Sequence, residues 1–185
     1  FGDAYEAVFT PRQARLDLLL ANELADADDL RFALYEPEDP ADSADLRFKV
    51  LGRKPMTLGE AIPHFNGLNV DVIDERPFAW DLRGQDLYVY DFGFRLPAGQ
   101  TPDDWSPADR TRFAEAFEAS YKGLCHPGKM NRLVMTAGLT WRQIVWLRAI
   151  ARYLNQAGIP FSQAYVAAAL NGHPGSAADL VAAFE

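Results

Sequence analysis

Alternation of apolar and polar residues stops at Leu96. Before it, the chain holds four stretches with period-two patterning, and after it every apolar repeat has helical spacing. Strands and helices segregate at that point, which predicts an antiparallel sheet with helices on one face, followed by a small helical bundle. LRFALYE (30–36) and LRFKVLG (46–52) alternate around the acidic turn PEDPADSAD and predict a hairpin. Residues 70–82 and 86–96 form a second pair around Arg83-Gly84-Gln85, with Tyr88, Tyr90, Phe92, Phe94 and Leu96 on one face.

Helix starts carry their own signal. A hydroxyl at the N-cap, with an acceptor-bearing side chain three residues later, satisfies two backbone N–H groups that the helix leaves unbonded. Thr10/Gln13, Thr57/Glu60, Ser106/Asp109 and Thr140/Gln143 have this spacing, and Pro11 and Pro107 follow two of the caps. Helices are expected near 11–25, 58–66, 107–122 and 140–156, with shorter ones near 131–136, 162–170 and 176–184, the last two starting from Ser162 and Ser176. The helix beginning TWRQIVWLRAIARYL is apolar nearly all round, which predicts a central, buried element. Arg148 and Arg152, four apart on it, predict acidic partners, either inside the bundle or across an interface.

The predicted fold class is therefore α+β: an antiparallel, ferredoxin-like sheet with helices on one face, followed by an all-α bundle. The stretch from Leu46 to Tyr121 reads strand, helix, strand, strand, helix, which is most of a βαββαβ unit, and LRFALYE is available as the missing strand. The expected division is a lead-in helix over 1–27, an α+β module over 28–97 and a helical module over 98–185, joined through PAGQTPDD.

VIDERPFAW (72–80) interrupts an apolar strand face with charge. Val70, Val72, Phe78, Trp80 and Leu82 share that face with Asp74 and Arg76. Pro77 cannot donate to a ladder, so the position is an edge or a bulge. Two readings stay open: a surface ion pair at a strand distortion, or contact of Asp74, Glu75 and Arg76 with a neighbouring domain or small ligand.

The chain's 26 acids against 18 Lys and Arg give a net charge of −8, the wrong sign for neutralising nucleic-acid phosphates. One cysteine, Cys125, excludes an internal disulfide framework and suits a reducing compartment, and no apolar run approaches the length of a membrane span. The chain starts without methionine and ends on an apolar run, as expected of a segment of a longer polypeptide. There is no G-x-G-x-x-G turn for a dinucleotide and no G-x-x-x-x-G-K-[ST] loop for a phosphate. His64, His126 and His173 lie too far apart in sequence for a metal motif, and Cys125-His126 lacks an orienting third group. No catalytic, cofactor or metal residue is assigned on these grounds.

FTPRQARLD (9–17), DLRFKV (45–50), VIDERPF (72–78), YDFGFR (90–95), MNRLVMTAGLTWRQIVWLRAIARYLNQAG (130–158) and FSQAYV (161–166) resemble the large multidomain bacterial NAD-specific glutamate dehydrogenases, in the same order and over almost the whole chain. The resemblance implies a long N-terminal region of ACT-like modules and helical linkers ahead of a Rossmann-containing catalytic region. This chain would be the last ACT-like module and the helical stretch after it. It also implies a cytoplasmic, oligomeric parent that uses NAD. The family's catalytic lysine has no counterpart among Lys49, Lys54, Lys122 and Lys129. ACT modules often bind amino acids between a strand and the preceding helix, which here selects the turn Asn66-Gly67-Leu68-Asn69. Gly67 there also suits a helix C-cap of positive φ. The expected partners are other domains of the same polypeptide and an amino-acid effector, with no nucleic acid or membrane.

Overall fold

A computed structural model describes residues 2–185. The elements run α1 (Asp3–Glu6), α2 (Pro11–Asn22), β1 (Leu30–Tyr35), β2 (Leu46–Gly52), α3 (Leu58–Gly67), β3 (Asp71–Asp81), β4 (Asp86–Arg95), α4 (Pro107–Tyr121), α5 (Leu133–Thr136), α6 (Trp141–Gln156), α7 (Gln163–Gly172) and α8 (Pro174–Ala182). Single 3-10 turns occupy Pro102–Asp104 and Lys129–Arg132.

The four strands make one sheet in the order β1-β2-β4-β3, with β1–β2 and β2–β4 both antiparallel. This is the ferredoxin-like order with β1, which precedes the unit in sequence, filling the edge beside β2. The β3–β4 hairpin turns through Arg83 (φ 59) and Gly84 (φ 80), a pair of left-handed residues whose twist matches that of the strands. Pro77 is tolerated because β3 is the other edge, and the strand runs through it without a break.

Compactness divides the chain into two units, Val72–Leu96 with everything up to Leu58, and Gly59–Asp71 with Pro97–Glu185. In the first, α2 lies against β1 and β2. Its Ala21 packs on Leu51, Leu87 and Val89, with Leu20, Leu24, Phe78, Trp80 and Leu82 around them. In the second, Phe65 of α3 meets Phe117 of α4 at 4.6 Å between ring centroids, and Trp105 meets Phe113 at 5.2 Å. Leu133, Val134, Ile144, Leu147, Ala177 and Val181 are buried in the same unit.

Three capping boxes form where the sequence places them, at Thr10/Gln13, Ser106/Asp109 and Thr140/Gln143. A further one at Thr101/Asp104 caps a 3-10 turn. Other expectations are corrected. α2 ends at Asn22 and not near 25, and the segment at 131–136 is a 3-10 turn running into α5. Ser162 caps α7, but α8 starts at Pro174, with proline in its first turn, and not from Ser176. α6 is not buried all round: Ile144, Leu147 and Ala151 are buried at helical spacing, while Trp146, Tyr153 and Leu154 are exposed. The largest departure is in β2, where all seven residues are buried, the expected polar face included.

Candidate functional site

That buried polar face holds the charges of VIDERPF. Arg47, 1% exposed, stands on β2 opposite Gly93 of β4 and contacts three carboxylates. Its Nε donates to Asp42 Oδ2 at 2.7 Å, Nη1 to Asp91 Oδ2 at 2.9 Å and Nη2 to Asp74 Oδ1 at 2.6 Å. Arg76 donates to Asp42 Oδ2 at 3.0 Å and lies 4.0 Å from Asp74, and the Tyr35 hydroxyl donates to Asp91 Oδ1 at 2.9 Å. Asp74 and Arg76 thus share a face, as their spacing predicts, but they are the half-exposed rim of a buried network and not an isolated surface pair.

Gly93 makes room for this. A Cβ there would sit 2.9 Å from Asp74 Oδ2, closer than real Cβ atoms approach, and 3.1 Å from Arg47 Nη2, tighter than most such contacts. Burial raises the Asp91 carboxyl, and Arg47 and Tyr35 only partly offset it. At Asp42 burial acts the same way but is outweighed by hydrogen bonds from Arg47 and the Ala44 amide, so its carboxyl is held below the usual range. Burial would lower Arg47, yet its three carboxylates raise it.

Two residues along β2, Lys49 donates to Asp17 Oδ2 at 2.6 Å, and the Tyr5 hydroxyl also bonds Asp17. The ammonium lies 3.5 Å from the centre of the Phe9 ring, a cation–π contact in a dry setting. Sequence reasoning missed Asp17, Asp42, Arg47, Lys49 and Asp91. The available signal was a basic pair at alternate positions of DLRFKV matched by an acid inside the aromatic run YVYDFGF. Glu75 points away from the network by strand alternation and is half-buried, with its carboxyl raised by burial. It takes part in no ion pair among the described residues.

Asn66, Gly67 and Asn69 fall in the other compact unit. Gly67 is the last residue of α3 and has no positive φ, which corrects the C-cap expectation; the left-handed residue is Asn69, φ 66. Glycine at 67 eases a close approach, since a Cβ would lie 3.2 Å from the Gly128 backbone nitrogen, tighter than most such contacts. The loop against which it packs is tied by Arg148, which donates to the His126 carbonyl at 2.5 Å and to Asn131 Oδ1 at 2.8 Å. Arg148 and Arg152 form no ion pair with any described acid, contrary to the expected acidic partners inside the bundle.

Cys125 is buried, its thiol raised by burial and hydrogen-bonded to Asn131 at 3.4 Å. A raised thiol is a poor nucleophile. His64 is half-buried with Nδ1 2.7 Å from Ser120 Oγ, and burial lowers its pKa. Among the described residues no group of three His, Cys, Asp or Glu side chains is arranged to hold a metal, and no helix is long and apolar enough to cross a membrane.

An antiparallel ferredoxin-like sheet followed by a set of short helices is the architecture of an ACT-type module with a helical companion. Residues 29–106 match the family profile described as glutamate dehydrogenase, ACT3 domain, and residues 128–185 match glutamate dehydrogenase, helical motif 3. The chain belongs to the glutamate dehydrogenase family. It is 38% identical over its full length to the NAD-specific glutamate dehydrogenase of Mycobacterium tuberculosis, 32% to that of Halomonas elongata and 30% to that of Pseudomonas aeruginosa. It spans 12%, 11% and 11% of those proteins, respectively.

Proposed function

We propose that the chain is a non-catalytic regulatory and structural segment of an NAD-dependent glutamate dehydrogenase. The observation that carries this reading is the pair of profile matches: one is to an ACT domain and the other to a helical motif of the family, and together they take up most of the chain. The parent would oxidise L-glutamate to 2-oxoglutarate and ammonia by hydride transfer to NAD, in amino-acid catabolism, as a cytoplasmic homo-oligomer. The segment contributes no catalytic, cofactor or metal residue. The proposed division is a lead-in over 1–27, an ACT-like module over 28–97 and a helical module over 98–185; the ACT3 match starts at 29, beside the first of these boundaries, and runs on to 106, while the helical match covers 128–185.

In this reading Asp74, Glu75 and Arg76 contact another domain of the same polypeptide. Glu75 favours it, being half-buried and raised by desolvation, with no ion-pair partner among the described residues. The purified chain mixed with glutamate and NAD should produce no NADH, and turnover would overturn the assignment.

A second reading is amino-acid sensing at Asn66, Gly67 and Asn69, in which an effector shifts the parent between states by differential affinity. It is favoured by the left-handed Asn69 next to the exposed Asn66 at the helix-to-strand turn. Calorimetric titration of the chain with each standard amino acid separates the two, because a scaffold gives no binding heat.

A further inference from the structure

α6 borders a pocket of about 650 Å³ whose charge runs against that of the chain. Lys129, Arg148 and Arg152 line it and no Asp or Glu does, although the chain as a whole carries −8. Among the described residues Arg148 bonds neutral acceptors only: the His126 carbonyl, Asn131 Oδ1 and the Cys125 sulfur. Lys129 and Arg152 enter no ion pair among the described residues. Burial, and to a lesser degree the neighbouring Arg152 charge, lower the Arg148 pKa, so the two guanidiniums repel and a bound anion would relieve both.

The remaining lining says what kind of anion fits. Gln163 and Ala164 line the pocket and are the first two residues of α7, where backbone N–H groups lack an intrahelical acceptor. Met130, Val145, Ala149 and Tyr153 give an apolar wall suited to a short carbon chain. Arg148 and Arg152 stand one helical turn apart on α6 and both line the pocket, so the two guanidiniums can address one ligand.

We infer that the helical part of the chain binds a small organic anion, a dicarboxylate or a phosphate ester, in this pocket through Arg148, Arg152 and Lys129. The inference does not depend on the parent's activity or on the effector reading at Asn66–Asn69, which concerns a different turn. The planar guanidinium forks match carboxylate or phosphate oxygens in paired hydrogen bonds, and the dipole of α7 adds to the field.

The test is an amide NMR titration of the intact chain with disodium glutarate and, separately, with inorganic phosphate, each against sodium chloride at matched ionic strength. Saturable shifts at Gly128, Lys129, Gln163 and Ala164, with a dissociation constant below about 1 mM, are expected for at least one anion. Preference for glutarate assigns a dicarboxylate, and preference for phosphate assigns a phosphate ester. Arg152→Gln should weaken binding at least about tenfold and Lys129→Gln several-fold. Both residues are exposed and their side chains form no ion pair among the described residues, so each variant should keep a dispersed spectrum. Shifts that rise linearly and are matched by chloride overturn the proposal, as does undiminished binding in both variants.

Discussion

Arg47 reaches diagonally across the β2–β4 ladder to Asp91, Nη1 to Oδ2 at 2.9 Å, with the two residues 1% and 0% exposed. A buried pair of this kind adds little net stability compared with apolar residues of the same volume, yet removing one member leaves the other charged and dry. Arg47→Met should therefore destabilise the fold by about 3–5 kcal/mol, because Asp42, Asp74 and Asp91 all lose a shared donor. Urea unfolding measures it. Arg47→Met combined with Asp91→Leu should recover part of the loss, and a double variant no more stable than the single one would refute this account.

Acid should act on the same network in two opposed ways. Asp42 has a lowered folded-state pKa, so its contribution is present above the unfolded-chain value and is lost as pH falls through the folded one. Asp91 is raised, so its folded form takes up a proton more readily than the unfolded chain, and its protonation favours the fold as pH falls. Asp42→Asn should flatten the decline in stability between about pH 5 and pH 2, and Asp91→Asn should steepen it. Urea midpoints across that range give the slopes, and identical slopes would contradict the assignment.

Gly93→Ala should cost about 1–3 kcal/mol, since the new methyl falls on the Asp74 carboxylate and the Arg47 guanidinium. Asp74→Ala clears much of that space. A double-mutant cycle should show the two changes to be non-additive, the second variant softening the first, and strict additivity would mean that Gly93 is required for some other reason.

Asn69 occupies the left-handed region with φ 66, where a short side chain that bonds locally is tolerated and a branched one is not. Asn69→Val should lower stability by about 1–2 kcal/mol, while Asn69→Gly should be close to neutral. Thermal melts of the two variants distinguish them, and equal melting temperatures would argue against backbone strain at this turn.

The strands and most helix starts were readable because their signals are local. Thr10, Ser106 and Thr140 announce helices through side chains three residues away, and Arg83-Gly84 announces its turn through backbone conformations that few residues adopt. The buried network was not readable, because LRFKV is compatible with either a solvated polar face or one covered by another element. Which holds depends on Asp17, some thirty residues upstream of Lys49, and on Asp91, some forty downstream of Arg47. The exposed side of α6 was hidden for the opposite reason. Trp146, Tyr153 and Leu154 look like core in composition, and only the placement of α4, α5 and α7 shows that its buried side is the one carrying Ile144, Leu147 and Ala151. Asp74 and Arg76 were located correctly on one face, but their partner Arg47 lies on a strand that shares no sequence neighbourhood with them.

The chain passes between its compact units three times, at residues 58–59, 71–72 and 96–97. Growing from a ribosome, it delivers every strand by the time Leu96 has been added. Phe65 on α3 must then wait for Phe113 and Phe117 before its ring is enclosed. The order of synthesis thus leaves an unfinished aromatic surface in mid-chain for about fifty residues, and the helix that closes it is the first one made after the sheet.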